Sequence, residues 1–272
     1  MYKNYMYSVL LPLAPWEPVS QVKLSLESLA NQSLPPAQVV VSCDGRPGDE
    51  LLDLLSISSL PLEILIGPGK EGVGIVLARG LISCKNELVI RCDADDISHK
   101  DRCLKQVNMM LNNDFLAAAG SFISEFIDTP KNCINIRVVP TEGYLIARSS
   151  RFRNPMNHPS IILRRSAILA VGNYRDIPGF EDFDLWLRLL KLNGPGCLSN
   201  LPETLVSAKV GLKHSKRRHG IKYFIFEFQF FYRCFVEKLI PAHCILFTLI
   251  TRLPLRIMPI SFLELAMKRT RI

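Results

Sequence analysis

The chain has 272 residues, 48% of them hydrophobic, and a formal net charge of +8. This length allows one large α/β domain, or one domain with an appendage, and the hydrophobic content argues against a disordered chain. Its eight cysteines are scattered, with no Cys-x-x-Cys pair and no Cys/His spacing typical of zinc sites, which favours buried thiols in a reducing compartment.

The N-terminal third alternates short apolar runs with helical patterns. Strands are predicted over residues 7–13, 38–43, 62–66 and 87–92, and helices over residues 19–30, 48–55 and 75–84. Ser20 is a candidate N-cap of the first helix, and a Gly-rich loop covers residues 67–74. The alternation predicts βαβ units on a mostly parallel sheet. Because no Gly-x-Gly-x-x-Gly fingerprint follows the first strand, a conventional NAD site is not expected.

Three aspartates, Asp93, Asp95 and Asp96, directly follow the apolar run over residues 87–92. In an open α/β sheet the carboxyl end of a buried strand opens into the ligand crevice. Clustered carboxylates there repel one another, so one interpretation is a hard divalent cation shared with a phosphorylated ligand. The other is a solvated acidic turn that leads into a helix, with Asp96 or Ser98 as N-cap. The cluster alone does not decide between them.

The middle of the chain has weaker patterns. A helix is predicted over residues 100–111, strand material over 115–126 and a helix across the face of the active site within 137–153. The turn-rich segment 154–159 leads to a short strand over 160–163, and a helix over 165–171 ends at Gly172.

A second acidic set, Glu181, Asp182 and Asp184, opens a predicted amphipathic helix. The simplest explanation is the helix dipole, which favours a carboxylate in the first turn by up to about 1 kcal/mol. A metal-assisted group transfer, however, needs one carboxylate set for the cation and another to take a proton from the attacking hydroxyl. The pairing with the cluster at residues 93–96 favours that second interpretation.

The C-terminal segment carries the charge. Residues 211–272 hold 12 Lys/Arg and three Glu, which gives a net charge of +9. Residues 1–210 hold 21 Lys/Arg and 22 Asp/Glu and are therefore nearly neutral. A basic stretch at 213–219 precedes dense aromatic residues and an apolar run at 239–260 interrupted by Pro and Arg. This density of aromatics disfavours a nucleic-acid partner and predicts a helical tail on an anionic membrane surface. The alternative is an amphipathic helix packed on the catalytic domain. We predict a catalytic domain over residues 1–210 and a tail over 211–272.

Several motifs, in this order, resemble the family 2 glycosyltransferases, in particular the non-processive bacterial members that build capsule, exopolysaccharide and O-antigen repeat units. They are the first strand, Asp44-Gly45, Asp93-Ala94-Asp95-Asp96, Asn157-His158-Pro159 and Glu181-Asp182-Phe183-Asp184-Leu185-Trp186. The resemblance covers about residues 7–210 and implies the GT-A fold, a Rossmann-like, mostly parallel central sheet flanked by helices. The Gln-x-x-Arg-Trp motif of processive members is not found after residue 190, which favours addition of a single sugar.

The resemblance also implies roles for individual residues. Asp93 and Asp95, with Asp96 beside them, would hold Mn²⁺ or Mg²⁺ against the donor diphosphate. Asp182 would be the catalytic base of an inverting reaction, with Glu181 beside it. Residues expected on the acceptor side are His158, Asp184 and Trp186.

Two donor-binding positions depart from the family pattern. Cys43 stands where the family usually has a carboxylate facing the uracil ring, so that role would pass to Asp44. Leu77 and Ala78 replace the arginine and asparagine of the family's Ala-Arg-Asn segment. Arg79 lies two places late and is the candidate for the diphosphate.

The expected function is transfer of one sugar from a UDP-sugar, with UDP-galactose and a β linkage as the first choice, to an undecaprenyl-diphosphate-linked saccharide such as GlcNAc. Residues 1–7 carry no apolar signal segment and no run of 18 uncharged apolar residues occurs, so we expect a peripheral protein on the cytoplasmic face of the bacterial inner membrane. The alternatives are a degenerate-site peripheral membrane protein and a nucleotidyltransferase, although residues 12–18 supply no basic Gly-rich phosphate loop.

Overall fold

A computed structural model describes residues 5–211 and 220–257, with the backbone alone at Lys222 and at residues 253–257. The chain divides into two compact units at residue 210, Met1–Val210 and Gly211–Ile272. The basic stretch at 213–219 and the end of the apolar run, residues 258–260, lie outside the described residues.

The first unit is built on one sheet. Within residues 5–211 the strands are β1 (Ser8–Leu13), β2 (Gln38–Cys43), β3 (Leu62–Ile66), β4 (Leu88–Arg91), β5 (Ile97–Ser98), β6 (Ala118–Phe126), β7 (Cys133–Arg137), β8 (Ile162–Arg164) and β9 (Leu198–Lys209). They are ordered β3-β2-β1-β4-β8-β6-β9-β5, and β7 pairs with β6. Pairing is parallel from β3 to β4 and between β6 and β9, and antiparallel where β8 joins β4 to β6.

Helices cover both faces of the sheet. They are α1 (Val19–Ala30), α2 (Asp49–Ser56), α3 (Val73–Ser83), α4 (Arg102–Leu111), α5 (Gly143–Ser149), α6 (Arg165–Ala170) and α7 (Glu181–Asn193). Side chains alternate between the faces with the period of two that a strand requires. Thus Val9 and Leu11 of β1 pack with α1 and α4, whereas Leu10 packs with α3 and α7.

The strand order places the site. From β1 the chain runs outward to β2 and β3, and α3 then crosses over so that β4 lies on the other side of β1. The carboxyl ends of β2 and β4 therefore flank that of β1, which is the switch point where open α/β sheets bind ligands. Asp44 follows β2 at this edge, and Asp93 follows β4.

Several sequence predictions need correction. Helix α1 begins at Val19 with Pro18 as its N-cap residue, so Ser20 lies inside the helix. The interpretation of Asp96 or Ser98 as a helix N-cap is wrong, because residues 97–98 form β5 and the next helix begins at Arg102. Within 137–153 only Gly143–Ser149 is helical, and strand β9 was not predicted because Pro202 and Glu203 interrupt its pattern.

The second unit contains two described helices, α8 (Ile221–Val236) and α9 (Ala242–Ile257). They are joined by a buried ion pair in which Arg252 Nη1 lies 2.6 Å from Oε1 of the fully buried Glu227. The same guanidinium lies 5.9 Å from the ring centroid of Phe231. Among the described residues, no helix is both long enough and apolar enough to cross a membrane.

Candidate active site

A buried arginine organises the end of β4. Arg91 is the last residue of the strand and is 4% exposed. Its Nη1 donates to Asp93 Oδ2 at 2.5 Å, and its Nη2 lies 2.5 Å from Asp93 Oδ1. This two-pronged pairing holds the Asp93 carboxylate in one orientation. Asp93, predicted as a donor and metal ligand, is thus occupied by an internal cation in this conformation.

Asp95 and Asp96 differ in environment. Asp95 is partly exposed, whereas Asp96 is buried and its Oδ1 accepts a hydrogen bond from the backbone N–H of Lys209 at 2.8 Å. Burial raises the pKa of Asp96 well above its usual value, and the nearby charges of Asp93 and Asp95 raise it further. These carboxylates therefore repel one another, and a cation would relieve the repulsion.

The loop after β4 is fixed from behind by Arg102 of α4, which is 1% exposed. Its Nη2 donates to the carbonyl oxygens of Arg91 at 2.6 Å and Pro159 at 2.9 Å, and its Nη1 donates to Ser98 Oγ at 3.0 Å. One guanidinium thereby joins the loop carrying the aspartates to the turn carrying His158.

The second acidic set begins α7. Asp182 Oδ2 accepts a hydrogen bond from Asn154 Nδ2 at 2.6 Å, and Oδ1 accepts one from the backbone N–H of Phe183 at 2.8 Å. Both donors hold the carboxylate in one orientation. The side chain is 9% exposed, so a substrate hydroxyl has limited access to it.

Glu181, the residue before Asp182, has a raised pKa. Burial raises its pKa to about 7, with a further contribution from the charge of Asp182, and Arg91 opposes the shift. Among the described residues its Oε2 is buried without a hydrogen-bond partner. Arg91 also opposes the shift at Asp96, so a single guanidinium acts on both acidic sets. Members of two sets that are about 90 residues apart in sequence therefore lie within reach of one charge.

The residues predicted on the acceptor side lie beneath the surface. His158 Nε2 is 3.1 Å from the hydroxyl of Tyr174, and the imidazole meets Trp186 edge to face with ring centroids 6.2 Å apart. Burial, and then the charge of Arg91, lower the pKa of His158 well below its usual value, so the imidazole is neutral. Trp186 has no exposed surface and supports His158 from below.

Asp184 has a different environment from its two acidic neighbours. It is fully buried, and its Oδ2 accepts a hydrogen bond from Arg188 Nε at 2.7 Å. Arg188 in turn donates to the backbone carbonyl oxygens of Val171 and Asn173. The carboxylate therefore fastens the segment before α7 onto the helix, and it is not presented to an acceptor in this conformation.

The donor-side residues form a network at the end of β2. Asp44 Oδ1 accepts a hydrogen bond from the backbone N–H of Glu71 at 2.9 Å. Arg79 Nη2 donates to the carbonyl oxygen of Cys43 at 2.7 Å, and its Nη1 pairs with Glu71 Oε2 at 2.5 Å. Asp44 and Arg79 thus both hold the Gly-rich loop against β2. Their predicted contacts with the uracil ring and the diphosphate stay predictions.

Sequence reasoning missed three polar residues of this site, Arg91, Asn154 and Tyr174. Arg91 had a usable signal, since a charged residue at the end of an otherwise apolar strand must have a partner nearby. Asn154 and Tyr174 had none, because their contacts join segments 28 and 16 residues apart.

We expect Glu181 to make stability depend on pH. Its folded pKa of about 7 lies above the ordinary value of 4.5, so rising pH ionises the unfolded chain first and stability falls between about pH 4.5 and 7. A shift of this size corresponds to roughly 3 kcal/mol at most. The free energy of unfolding of Glu181→Gln, relative to wild type, should therefore rise by up to about 3 kcal/mol from pH 5 to pH 8.

Urea unfolding at the two pH values measures this difference. The matched control is Glu27→Gln, since Glu27 is 53% exposed on α1 and pairs with Lys23 at 3.9 Å. The same change in stability at pH 5 and at pH 8 for Glu181→Gln would contradict the assignment.

Comparison with known families gives a match over more than half of the chain. The family described as "Glycosyl transferase family 2" matches residues 19–172. The chain is 30% identical over 246 residues to the UDP-Gal:alpha-D-GlcNAc-diphosphoundecaprenol beta-1,3-galactosyltransferase of Escherichia coli, covering 88% of this chain and 86% of that protein. It is 30% identical over 233 residues to the amylovoran biosynthesis glycosyltransferase AmsE of Erwinia amylovora, covering 83% and 84%.

A comparison with solved structures shows that the fold is also similar to that of a known protein. The crystal structure of S. aureus TarS 1-349 in complex with UDP-GlcNAc superposes with a TM-score of 0.60 at 19% identity, covering 82% of this chain. The chain spans 64% of the length of that structure, less than two thirds. At this identity the likeness concerns the fold alone.

Proposed function

The chain belongs to glycosyltransferase family 2, and from that membership we propose that it transfers one galactose from UDP-galactose to GlcNAc on a polyprenyl diphosphate, forming a β linkage. The expected GT-A architecture is confirmed, because the sheet and its flanking helices match the solved GT-A structures. The donor and acceptor are those in the name of the E. coli relative, which this chain resembles along 86% of that protein's length.

The observation that carries the proposal is the meeting of the two acidic sets around Arg91. A glycosyl transfer needs a base at the acceptor hydroxyl and positive charge at the leaving diphosphate. Asp182 supplies a carboxylate oriented by Asn154, and the aspartates after β4 supply a second acidic group at the sheet switch point. The set at α7 therefore offers the base, and the set after β4 offers oxygen ligands for a cation at the diphosphate.

The reaction that follows is a single displacement. Asp182 takes the proton of the acceptor hydroxyl, and the resulting oxygen attacks the anomeric carbon as its bond to the diphosphate oxygen breaks. UDP leaves with the bonding electron pair, and the proton stays on Asp182. Attack from the face opposite the leaving group converts an α-linked donor into a β-linked product. Glu181, with a pKa of about 7, is a second proton acceptor beside the base.

The residues after β4 fit a divalent cation. Family 2 enzymes generally use divalent metals, and the carboxylates that repel one another at Asp93, Asp95 and Asp96 are hard oxygen donors. The part of the chain that the structure describes has no group of three or more His, Cys, Asp or Glu able to hold a metal ion alone. Mg²⁺ is commonly held by one or two carboxylates together with substrate phosphates. When bound, Mn²⁺ or Mg²⁺ would neutralise the departing diphosphate, with the partly exposed Asp95 as a candidate ligand.

A donor screen tests the proposal. UDP-galactose, UDP-glucose and UDP-GlcNAc are each incubated with a short-chain lipid-diphosphate-GlcNAc acceptor, and the linkage of the product is determined by NMR. We expect galactose in a β linkage. An α-linked product would contradict inversion, and no transfer from any of the three donors would contradict the function.

We also propose that α8 and α9 lie on the membrane that carries the acceptor, at its cytoplasmic face. Ile221, Ile225, Phe228, Tyr232 and Phe235 are each about half exposed or more, and their spacing places them on one side of α8. Residues 211–272 carry a net charge of +9. An exposed apolar stripe with excess cations is typical of helices in the membrane interface. Cosedimentation with phosphatidylglycerol vesicles, compared with phosphatidylcholine vesicles, tests this assignment.

A further inference from the structure

Residues 143–175 contain six arginines and neither aspartate nor glutamate. Three of the six have structural partners. Arg164 donates to the carbonyl oxygen of Leu116, Arg165 donates to that of Leu81, and Arg175 lies 3.6 Å from Asp184. The other three, Arg148, Arg151 and Arg153, are exposed at the end of α5.

These three guanidinium groups have no ion-pair partner among the described residues. Arg153 Nε donates to Ser149 Oγ at 3.3 Å, and backbone hydrogen bonds close residues 148–153 into a compact turn. The helix dipole accounts for a cation in the last turn of α5, which is Arg148 alone. Three like charges within six residues repel one another, so an anion would stabilise the arrangement.

The turn leads directly to the candidate base. Asn154, the residue after Arg153, donates to Asp182 Oδ2 at 2.6 Å. The turn is also anchored in the first unit, because Ile146 of α5 is fully buried and Gly143 packs closely against the backbone of Pro195. The cationic turn therefore keeps a fixed place beside Asp182, while the aspartates after β4 are expected on the donor side.

We propose that Arg148, Arg151 and Arg153 form a subsite for the diphosphate of the lipid-linked acceptor. The inference rests on the proposed function. In the smallest acceptor a single sugar separates the reacting hydroxyl from the diphosphate, so a hydroxyl at Asp182 puts the diphosphate about one sugar ring away. Guanidinium groups match phosphate oxygens in two-pronged geometry. The exposed side chains of Tyr144 and Phe152 offer apolar contact to the first isoprene units.

The test compares two water-soluble acceptors, a short-chain alkyl diphosphate of GlcNAc and the neutral alkyl glycoside of GlcNAc. Each is assayed with wild type, the triple variant Arg148→Gln/Arg151→Gln/Arg153→Gln, the triple Arg→Lys variant, and Lys85→Gln. Lys85 is 75% exposed and lies between α3 and β4, at the opposite edge of the sheet. We expect the triple Gln variant to raise KM for the diphosphate acceptor at least about tenfold, with KM for UDP-galactose and for the neutral glycoside unchanged. The Lys variant should recover part of the loss.

Other outcomes are distinguishable. An unchanged KM for the diphosphate acceptor in the triple Gln variant overturns the subsite. A higher KM for UDP-galactose assigns the arginines to the donor instead, and a loss confined to anionic vesicle binding assigns them to the membrane; both overturn the proposal. A wild-type enzyme that transfers to neither acceptor contradicts the proposed function, and the subsite with it. Thermal unfolding checks that the variants keep the fold.

Discussion

Replacing Asp182 with asparagine is expected to lower kcat by about 10²–10⁴-fold, the range typical of a lost general base. Asparagine keeps the size of the side chain and an oxygen that can accept the hydrogen bond from Asn154, which in the native chain is 2.6 Å long. It cannot take the proton of the acceptor hydroxyl. The KM for UDP-galactose should change little, because the donor is expected to bind at the aspartates after β4. Initial rates with the short-chain acceptor, and thermal unfolding, measure the two effects.

Glu181 complicates the outcome and supplies the control. Removing the charge of Asp182 removes one cause of the raised pKa of Glu181, so Glu181 becomes a better-ionised neighbour and could support residual transfer. Glu181→Gln alone should reduce kcat less than Asp182→Asn. The double variant should be less active than either. Full activity in Asp182→Asn would remove Asp182 from the mechanism.

Replacing Asp95 with asparagine is expected to lower transfer by about 10²-fold or more, and treatment of the wild type with EDTA should do the same until Mn²⁺ or Mg²⁺ is restored. Asp93 and Asp95 are both partly exposed, whereas Asp96 is buried, and the carboxylate of Asp93 is held by Arg91. Calorimetry of UDP binding with and without Mn²⁺ gives a readout that does not depend on activity. The wild type should bind UDP more tightly with metal, and the variant should lose that difference.

Asp101→Asn is the matched control, since Asp101 is an exposed carboxylate just before α4 that makes no side-chain hydrogen bond to the helix. It should keep the metal-dependent gain in UDP affinity. Binding of UDP that is equally tight with and without metal in the wild type would contradict a metal shared with the diphosphate. It would leave the base assignment at Asp182 intact.

Much of the first half of the fold follows from local patterns. The strands at residues 38–43 and 62–66 and the helix at 19–30 have the predicted bounds, because each is a clear apolar run or a clear helical period between turn residues. The strands of the second half could not be predicted from local patterns in the same way. Strand β7 is exposed along its whole length, and β9 contains Pro202 and shifts its register against β6. Such strands are stabilised by neighbours distant in sequence, which a local pattern does not record.

The candidate site, like the fold, was predictable from the sequence only in part. That two acidic sets exist could be read from residues 93–96 and 181–184, and their order along the chain carries the family resemblance. The sequence did not show which of these carboxylates a substrate can reach. Asp184 resembles Asp182 in sequence, yet it is fully buried and paired with Arg188. Trp186, one helical turn after Asp182, is also fully buried. Burial depends on what packs over a residue, and here that is the segment 171–175.

By itself, the sequence determined the α/β class, the glycosyltransferase family and the two acidic sets, because these depend on residue type and spacing along the chain. Only the tertiary structure decided that the charge of Arg91 acts on both sets and that Asp93 and Asp184 are already paired. It also decided that three arginines with no ion-pair partner in the described part of the chain precede the asparagine that donates to Asp182. The physical reason is that the energy of a charge depends on its distance from other charges and from water. Those distances are set by the crossover that places β4 beside β1 and by the packing of α7 below it.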